Sequence, residues 1–132
     1  MVYNGEKEGK MIYTEIDYVL KRMPYIEKAI KNKQSSICFY VGHRREEIVL
    51  NEQICTISLI LKDICEKEND LVKYIINQAI KGGKSDCWLI IRLPMSKNYY
   101  YRIKQELYQR IFLCCVEKKI MSYAEIMSKR IQ

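Results

Sequence analysis

The segment DCWLIIRLPMSKNYYYRIKQELYQRI, residues 86–111, carries the clearest fold signal in the sequence. It predicts a short helix that Ser85 or Asp86 caps and that ends at Pro94, because proline disfavours helical angles in the residue before it. Ser96 can cap a longer second helix reaching Lys119, in which apolar residues recur every three or four positions: Tyr100, Ile103, Leu107, Ile111 and Cys114. The segment therefore predicts two helices joined by the turn Leu93-Pro94-Met95.

Weaker signals extend this helical pattern on both sides. Asn69 and Asp70 both suit the cap of a preceding helix, which Gly82 and Gly83 can stop because glycine readily adopts the left-handed conformation. On the other side, residues 122–132 predict one further weak turn of helix.

The N-terminal part predicts a first helix that Thr14 caps, with Asp17 in the place of a capping-box acid. Pro24 lacks a backbone donor and clashes with the preceding turn, so it either kinks this helix or divides it, and we favour the kink. Residues 1–10 are charged and contain glycine, which predicts a frayed tail.

Residues 34–43 predict a loop, because their apolar run is too short for a helix. Residues 44–67 predict one long helix with acidic residues near its start and a recurrent apolar stripe at Ile48, Ile54, Ile57, Leu61 and Ile64. A helix buries such a stripe against another surface, so an antiparallel hairpin with the first helix and a dimer surface both remain open.

Together these elements predict an all-α fold of two regions. Residues 1–67 form a helical hairpin or extension for oligomerisation or partner binding, and residues 68–132 form a helix-turn-helix bundle. The length of 132 residues suits one compact unit that needs neither metal nor disulfide bridges.

The net charge of the chain indicates the class of its binding partner, and its hydropathy indicates the cellular compartment. The formal net charge is +7, which suits a polyanion such as nucleic acid without selecting it over a membrane surface. No run of 18 uncharged apolar residues occurs, and the N-terminus lacks the pattern of a signal peptide. We therefore expect a cytoplasmic protein that is not inserted in a membrane.

The residues that could support catalysis or metal binding are sparse. The six cysteines form no Cys-x-x-Cys pair and mostly replace apolar residues in helical patterns, which predicts reduced core thiols. His43 is the only histidine and is expected in a surface loop. Gly82-Gly83-Lys84-Ser85 lacks the first glycine of a phosphate-binding loop. We therefore expect no enzyme activity, no metal and no cofactor.

A capped second helix with basic and amide side chains is the arrangement that places a helix N-terminus in the major groove of DNA. If Tyr100, Ile103 and Leu107 face inward, the opposite face carries the candidate groove-facing residues Lys97, Asn98, Tyr101, Arg102 and Gln105. Arginine and lysine can pair with guanine edges, and asparagine or glutamine with adenine. Of the three adjacent tyrosines, Tyr100 is expected in the core, and Trp88 is also expected to pack there.

Further basic residues surround this face. Lys84, Arg92, Lys104 and Arg110 are expected to contact phosphate, which positions a protein on DNA without reading its sequence. A solvated basic face on an ordinary amphipathic helix is the simpler alternative. The cap and the turn before it favour DNA binding.

Residues 68–115, and above all the segment 86–111, resemble the C-terminal part of the RinA/ArpU-type phage transcriptional regulators. The resemblance implies a DNA-binding region like the fourth region of sigma factors and control of late or lytic phage genes. It carries over to Ser96, Lys97, Asn98, Tyr101 and Arg102. Two positions depart from the pattern, because Pro94 occupies the turn and acidic Glu106 lies on the second helix.

Double-stranded DNA is thus the expected partner, and RNA polymerase and a second copy of the chain are further candidates. Two alternatives remain open. A DNA-packaging protein like a small terminase subunit shares the DNA site but would assemble as a ring. A helical protein-interaction or inhibitor protein would use its N-terminal helices and would not bind nucleic acid.

Overall fold

The computed structural model describes residues 9–127, together with the backbone of Val2–Tyr3 and of the last helix as far as Ile131. Most of the predicted frayed tail, residues 1–10, lies outside the described residues. The architecture is mainly helical, as expected, but the all-α prediction is wrong in one respect, since the chain also contains a small β-sheet.

The first two helices of the described chain are short: α1 (Tyr13–Lys21) and α2 (Met23–Lys31). The predicted Thr14 cap is wrong by two residues: Ile12 is the cap of α1, and its N–H donates to the Glu15 carboxylate over 3.0 Å. Asp17 instead pairs with Lys21. Pro24 divides the helix rather than kinking it, because Arg22 leaves the helical conformation and proline then fits the first turn of α2.

The sheet is the main departure from the sequence prediction. Residues 34–43 are not a loop, and residues 44–49 are not helical: strand β2 (Ser36–Val41) pairs antiparallel with β3 (Arg44–Val49). Gly42 takes a positive φ of 64° in the turn between them, where glycine has no steric penalty. A two-residue strand, β1 (Val2–Tyr3), lies parallel to β3 on its other edge.

Helix α3 (Glu52–Lys67) begins after Asn51, whose side chain accepts the N–H of Ile54 over 3.0 Å. Helix α4 (Asp70–Ile75) is capped by Asn69, as predicted, and continues as a π-helical turn, Ile76–Ile80. The predicted glycine stop is confirmed. A Cβ atom on Gly82 would lie 2.8 Å from the Asn77 carbonyl oxygen, so a larger residue would clash with the backbone.

The last three helices are α5 (Asp86–Arg92), α6 (Lys97–Glu117) and α7 (Tyr123–Ile131). One cluster of buried side chains connects the helices to β3. Its members come from both predicted regions, among them Ile16, Ile48, Ile57, Leu89 and Ile111. The two predicted regions, residues 1–67 and 68–132, therefore share one core. The division between them stays a prediction about their functions.

Helix α1 contacts the second half of α6, where the rings of Tyr13 and Phe112 stack with centroids 4.6 Å apart. Burial and then the Asp17 carboxylate raise the pKa of Tyr108, one turn before Phe112 on α6.

Candidate nucleic-acid interface

The interface is built on α5, the turn that follows it and α6. Ser85 caps α5 by accepting the N–H of Trp88, and Ser96 caps α6 by accepting the N–H of Tyr99, each over 3.2 Å. Both caps agree with the sequence prediction. The predicted turn at Leu93-Pro94-Met95 lies between the two helices, so the chain forms a short helix, a tight turn and a long helix.

Tyr100 anchors α6 to α5, and its predicted place in the core is confirmed. The ring is fully buried, and its hydroxyl donates to the Asp86 carboxylate over 2.8 Å. The Lys104 amine donates to the same carboxylate oxygen over 2.6 Å. We call Asp86, Tyr100 and Lys104 the Asp86 cluster; it joins the first turn of α5 to the second and third turns of α6.

The charge state of the Asp86 cluster follows from its contacts. Burial raises the pKa of Asp86, but the hydrogen bonds from Lys104 and Tyr100 outweigh burial and leave that pKa below its ordinary value. Burial and then the neighbouring carboxylate raise the pKa of Tyr100. At neutral pH Asp86 is therefore a charged carboxylate and Tyr100 a neutral phenol.

The five predicted groove-facing residues all lie exposed on the first half of α6. They are Lys97, Asn98, Tyr101, Arg102 and Gln105. Tyr101 is 40% exposed and lies edge-on against the buried Tyr100 ring, with centroids 5.4 Å apart. This contact fixes the direction of the Tyr101 ring without covering it.

Arg102 has two neighbours on the same helix. Its Nε atom lies 3.9 Å from the Glu106 carboxylate, and its guanidinium carbon lies 5.2 Å from the centre of the Tyr99 ring. Both charged side chains are about two-thirds exposed, at 68% and 71%, so water weakens the pairing. The guanidinium can therefore leave Glu106 for another anion at small cost.

The predicted phosphate-contacting residues divide into two groups. Lys84 and Arg92 are exposed, and both lie near the Trp88 ring, with the Lys84 Nζ atom 5.2 Å and the Arg92 guanidinium carbon 4.0 Å from its centre. Trp88 itself is half-buried. Lys104 and Arg110 are instead tied to carboxylates, Lys104 to Asp86 and Arg110 to Glu68. The structure thus leaves Lys84 and Arg92 best placed for an external phosphate.

Two basic residues were missed because the sequence pattern placed them in a helix. Arg44 and Arg45 lie at the tip of the β2–β3 hairpin, with 64% and 60% of their side chains exposed. The available signal was Gly42-His43 between an apolar run and a charged run, which is typical of a hairpin turn.

The cysteines differ in burial, and His43 is exposed. Cys115 is buried and its pKa is raised by burial to about 12, as a core thiol requires. Cys38 and Cys87 are exposed, so the core prediction is wrong for them. His43 lies exposed in the hairpin turn, as expected. Within the described residues, no three His, Cys, Asp or Glu side chains are grouped as metal ligands require.

None of the described helices combines the length and the apolar composition that a membrane crossing requires. Comparison with known proteins finds no match for this chain among family models, curated proteins or solved structures. The resemblance to the RinA/ArpU-type regulators therefore stays a prediction from the sequence.

Proposed function

We propose that this protein binds double-stranded DNA and reads its sequence by placing the first half of α6 in the major groove. One observation carries the proposal. The capped start of α6 presents cationic, amide and phenol side chains together on one exposed face, while the ring of Tyr100 on the opposite side anchors the helix to α5. Helix-turn-helix proteins need both a rigid recognition helix and an accessible reading face.

The exposed side chains suit the edges of base pairs. Arg102 and Lys97 can donate to guanine, and Asn98 and Gln105 can form paired hydrogen bonds with adenine. Tyr101 can contact a thymine methyl group with its ring or a phosphate with its hydroxyl. Ser96, Lys84 and Arg92 flank these groups and can donate to phosphate oxygens, which would position the helix in the groove.

Transcriptional regulation of phage or prophage genes is the biological role that the resemblance implies, and RNA polymerase and a second copy of the chain are its candidate partners. A packaging protein would share the α6 contact but act as a ring of subunits. A protein-interaction or inhibitor protein would not need DNA at all. The three roles differ in two measurable properties, DNA affinity and the number of subunits in the bound species.

A titration of random-sequence duplex DNA at two salt concentrations tests the proposal. DNA binding through phosphates releases condensed counterions, so affinity should fall steeply between the two conditions. A duplex selected from a random library should then bind at least about a thousand-fold more tightly than random sequence. The absence of binding at low salt would leave only the protein-interaction role, and a ring-shaped complex would favour packaging.

A further inference from the structure

The β2–β3 hairpin is held rigidly against the junction of α1 and α2. Glu46 on β3 is 1% exposed and accepts hydrogen bonds from the Tyr18 hydroxyl over 2.5 Å and from Arg44 over 3.2 Å. Arg22 lies 3.3 Å from the same carboxylate. A buried carboxylate is costly without such donors, so these contacts specify one position for the hairpin.

The direction of the hairpin follows from its packing on α2. Strand β2 returns antiparallel to α2, since Gln34 donates to the Ala29 carbonyl at one end and the Tyr25 and Phe39 rings stack at the other, 5.3 Å apart and nearly parallel. A six-residue strand is about 20 Å long and a nine-residue helix about 14 Å. The hairpin tip therefore extends beyond the N-terminal end of α2.

The same end of the molecule carries the start of α5 and the reading face of α6, by which we mean the exposed face with Lys97, Asn98, Tyr101, Arg102 and Gln105. Pro24, at the start of α2, lies against Gly83, where an added Cβ atom would be 3.2 Å from the proline ring. Gly83 immediately precedes Lys84 and Ser85, the cap of α5. Asp86, in the first turn of α5, accepts hydrogen bonds from Tyr100 and Lys104, so this end of α5 lies against the first half of α6. The hairpin tip and the reading face are thus at one end of the fold.

The tip carries the chemistry that a nucleic acid backbone requires. Arg44 and Arg45 are more than half exposed, and exposed His43 and Tyr40 lie beside them. Arg44 contacts Glu46, and Arg45 contacts Glu47 and the Cys38 sulfur. A guanidinium has five N–H donors, so these contacts leave each group able to bind a phosphate as well. Successive residues of a strand face opposite sides, so Arg44 and Arg45 leave the narrow tip in different directions and can each reach a different phosphate of duplex DNA.

We propose that the hairpin tip is a second DNA contact, in which Arg44 and Arg45 bind the phosphate backbone next to the groove occupied by α6. This inference rests on the proposed function, because it needs α6 to bring the duplex to this end of the molecule. It assigns the hairpin a positioning role: the arginines extend the bound surface and do not read bases.

The test compares two double variants, each of which removes two positive charges. One pair of charges lies at the hairpin tip, and the other lies at the C-terminal end of α2. Arg44→Gln with Arg45→Gln neutralises the tip, and Lys28→Gln with Lys31→Gln neutralises two exposed lysines at the far end of α2. Each phosphate contact contributes about one unit to the slope of log affinity against log salt, or about eight-fold in affinity at 0.1 M salt. The tip variant should therefore bind about sixty-fold more weakly, with a slope shallower by about 2.

The loss should be equal for selected and random duplexes, and hydroxyl-radical footprints should lose protected backbone positions on one side of the site. The lysine variant should keep the wild-type slope and footprint. If the tip variant behaves like the lysine variant while the wild type binds DNA, the hairpin inference is wrong and the proposed function stands. If the wild type itself does not bind DNA, the proposed function is wrong, and the hairpin inference that rests on it is wrong as well.

Arg44 also contacts the buried Glu46, so the double variant could lose its fold. Arg45→Gln alone avoids this, because Arg45 contacts the partly exposed Glu47 rather than Glu46. It should unfold at the wild-type temperature and bind DNA about eight-fold more weakly at 0.1 M salt, with a slope shallower by about 1. An unchanged slope in this folded single variant would overturn the role of Arg45.

Discussion

Arg102 and Asn98 lie on the same exposed face of α6, one turn apart, and each has a side chain that can form two hydrogen bonds with one base. Arg102→Ala and Asn98→Ala should each weaken binding to a selected duplex by about 1 to 3 kcal/mol and relax base preference at one position. Repeating the selection from a random library with each variant measures this. Lys118→Ala, exposed at the far end of α6, is the matched control and should change neither quantity.

Tyr100 tests the rotation of α6 about its axis, because the assignment of the reading face depends on this ring being inside. Tyr100→Ala should lower the free energy of unfolding by about 3 to 5 kcal/mol, through the lost contacts and the cavity left behind. Tyr100→Phe keeps the ring and removes only the hydrogen bond to the charged Asp86 carboxylate, so it should cost about 1.5 to 3 kcal/mol. Urea unfolding measures both. A Tyr100→Ala variant of normal stability that binds DNA poorly would mean that the ring faces the groove.

At the scale of elements, the Asp86 cluster links the two helices that form the candidate interface. The pKa of Asp86 is lower in the folded protein than in the unfolded chain, so ionised Asp86 stabilises the fold above the unfolded pKa of about 4. This contribution disappears as the pH falls through the folded pKa, because both states are then protonated.

Asp86→Asn should therefore unfold at lower urea concentration than the wild type at pH 7, and the difference should shrink as the pH falls below the unfolded pKa of about 4. Glu46 titrates in both proteins, so the comparison isolates Asp86. A stability difference that stays constant from pH 7 to pH 3 would show that the lost charge is not what the cluster contributes.

Most helices could be predicted from the sequence because their signals are local. Asn69, Ser85 and Ser96 cap the helices that immediately follow them, and Gly82 stands where the backbone leaves no space for a Cβ atom. These signals involve residues only a few positions apart. The caps and the order of α4, α5 and α6 were accordingly predicted correctly.

The hairpin could not be found in the same way. Ile48 fits the helical spacing of Ile54 and Ile57 by coincidence, yet it points inward from a strand while they belong to α3. The pattern within residues 44–49 is an alternation, in which Glu46 and Ile48 are buried. The buried glutamate disguised this alternation, because its burial depends on Tyr18 and Arg22, more than twenty positions earlier in the chain.

The same limit applied to the candidate site. Sequence position correctly separated the exposed face of α6 from the buried Tyr100, since helical geometry alone fixes that division. It could not show that Lys104 is held by Asp86 or Arg110 by Glu68, because those pairings depend on how helices pack. The predicted phosphate contacts of Lys104 and Arg110 stay predictions, and the structure adds that each of these residues already has a carboxylate partner.

At the scale of the whole molecule, the two predicted regions share one core. The Met11 N–H donates to the Ile120 carbonyl over 2.7 Å, and the Tyr13 and Phe112 rings stack, so the N-terminal segment covers the C-terminal half of α6. A fragment of residues 68–132 would expose that apolar surface. It should therefore lack a cooperative thermal transition by circular dichroism, whereas a sharp transition near that of the full chain would establish an independent domain.

Methylation interference on a selected duplex tests whether α6 reads the major groove. Dimethyl sulfate methylates guanine N7, which faces the major groove and is an acceptor for arginine and lysine. Methylation of one or more guanines within the site should prevent binding by the wild type, and Arg102→Ala should lose this interference at one position. Tight, sequence-selective binding that tolerates methylation of every guanine N7 in guanine-containing sites would contradict the proposed role of α6.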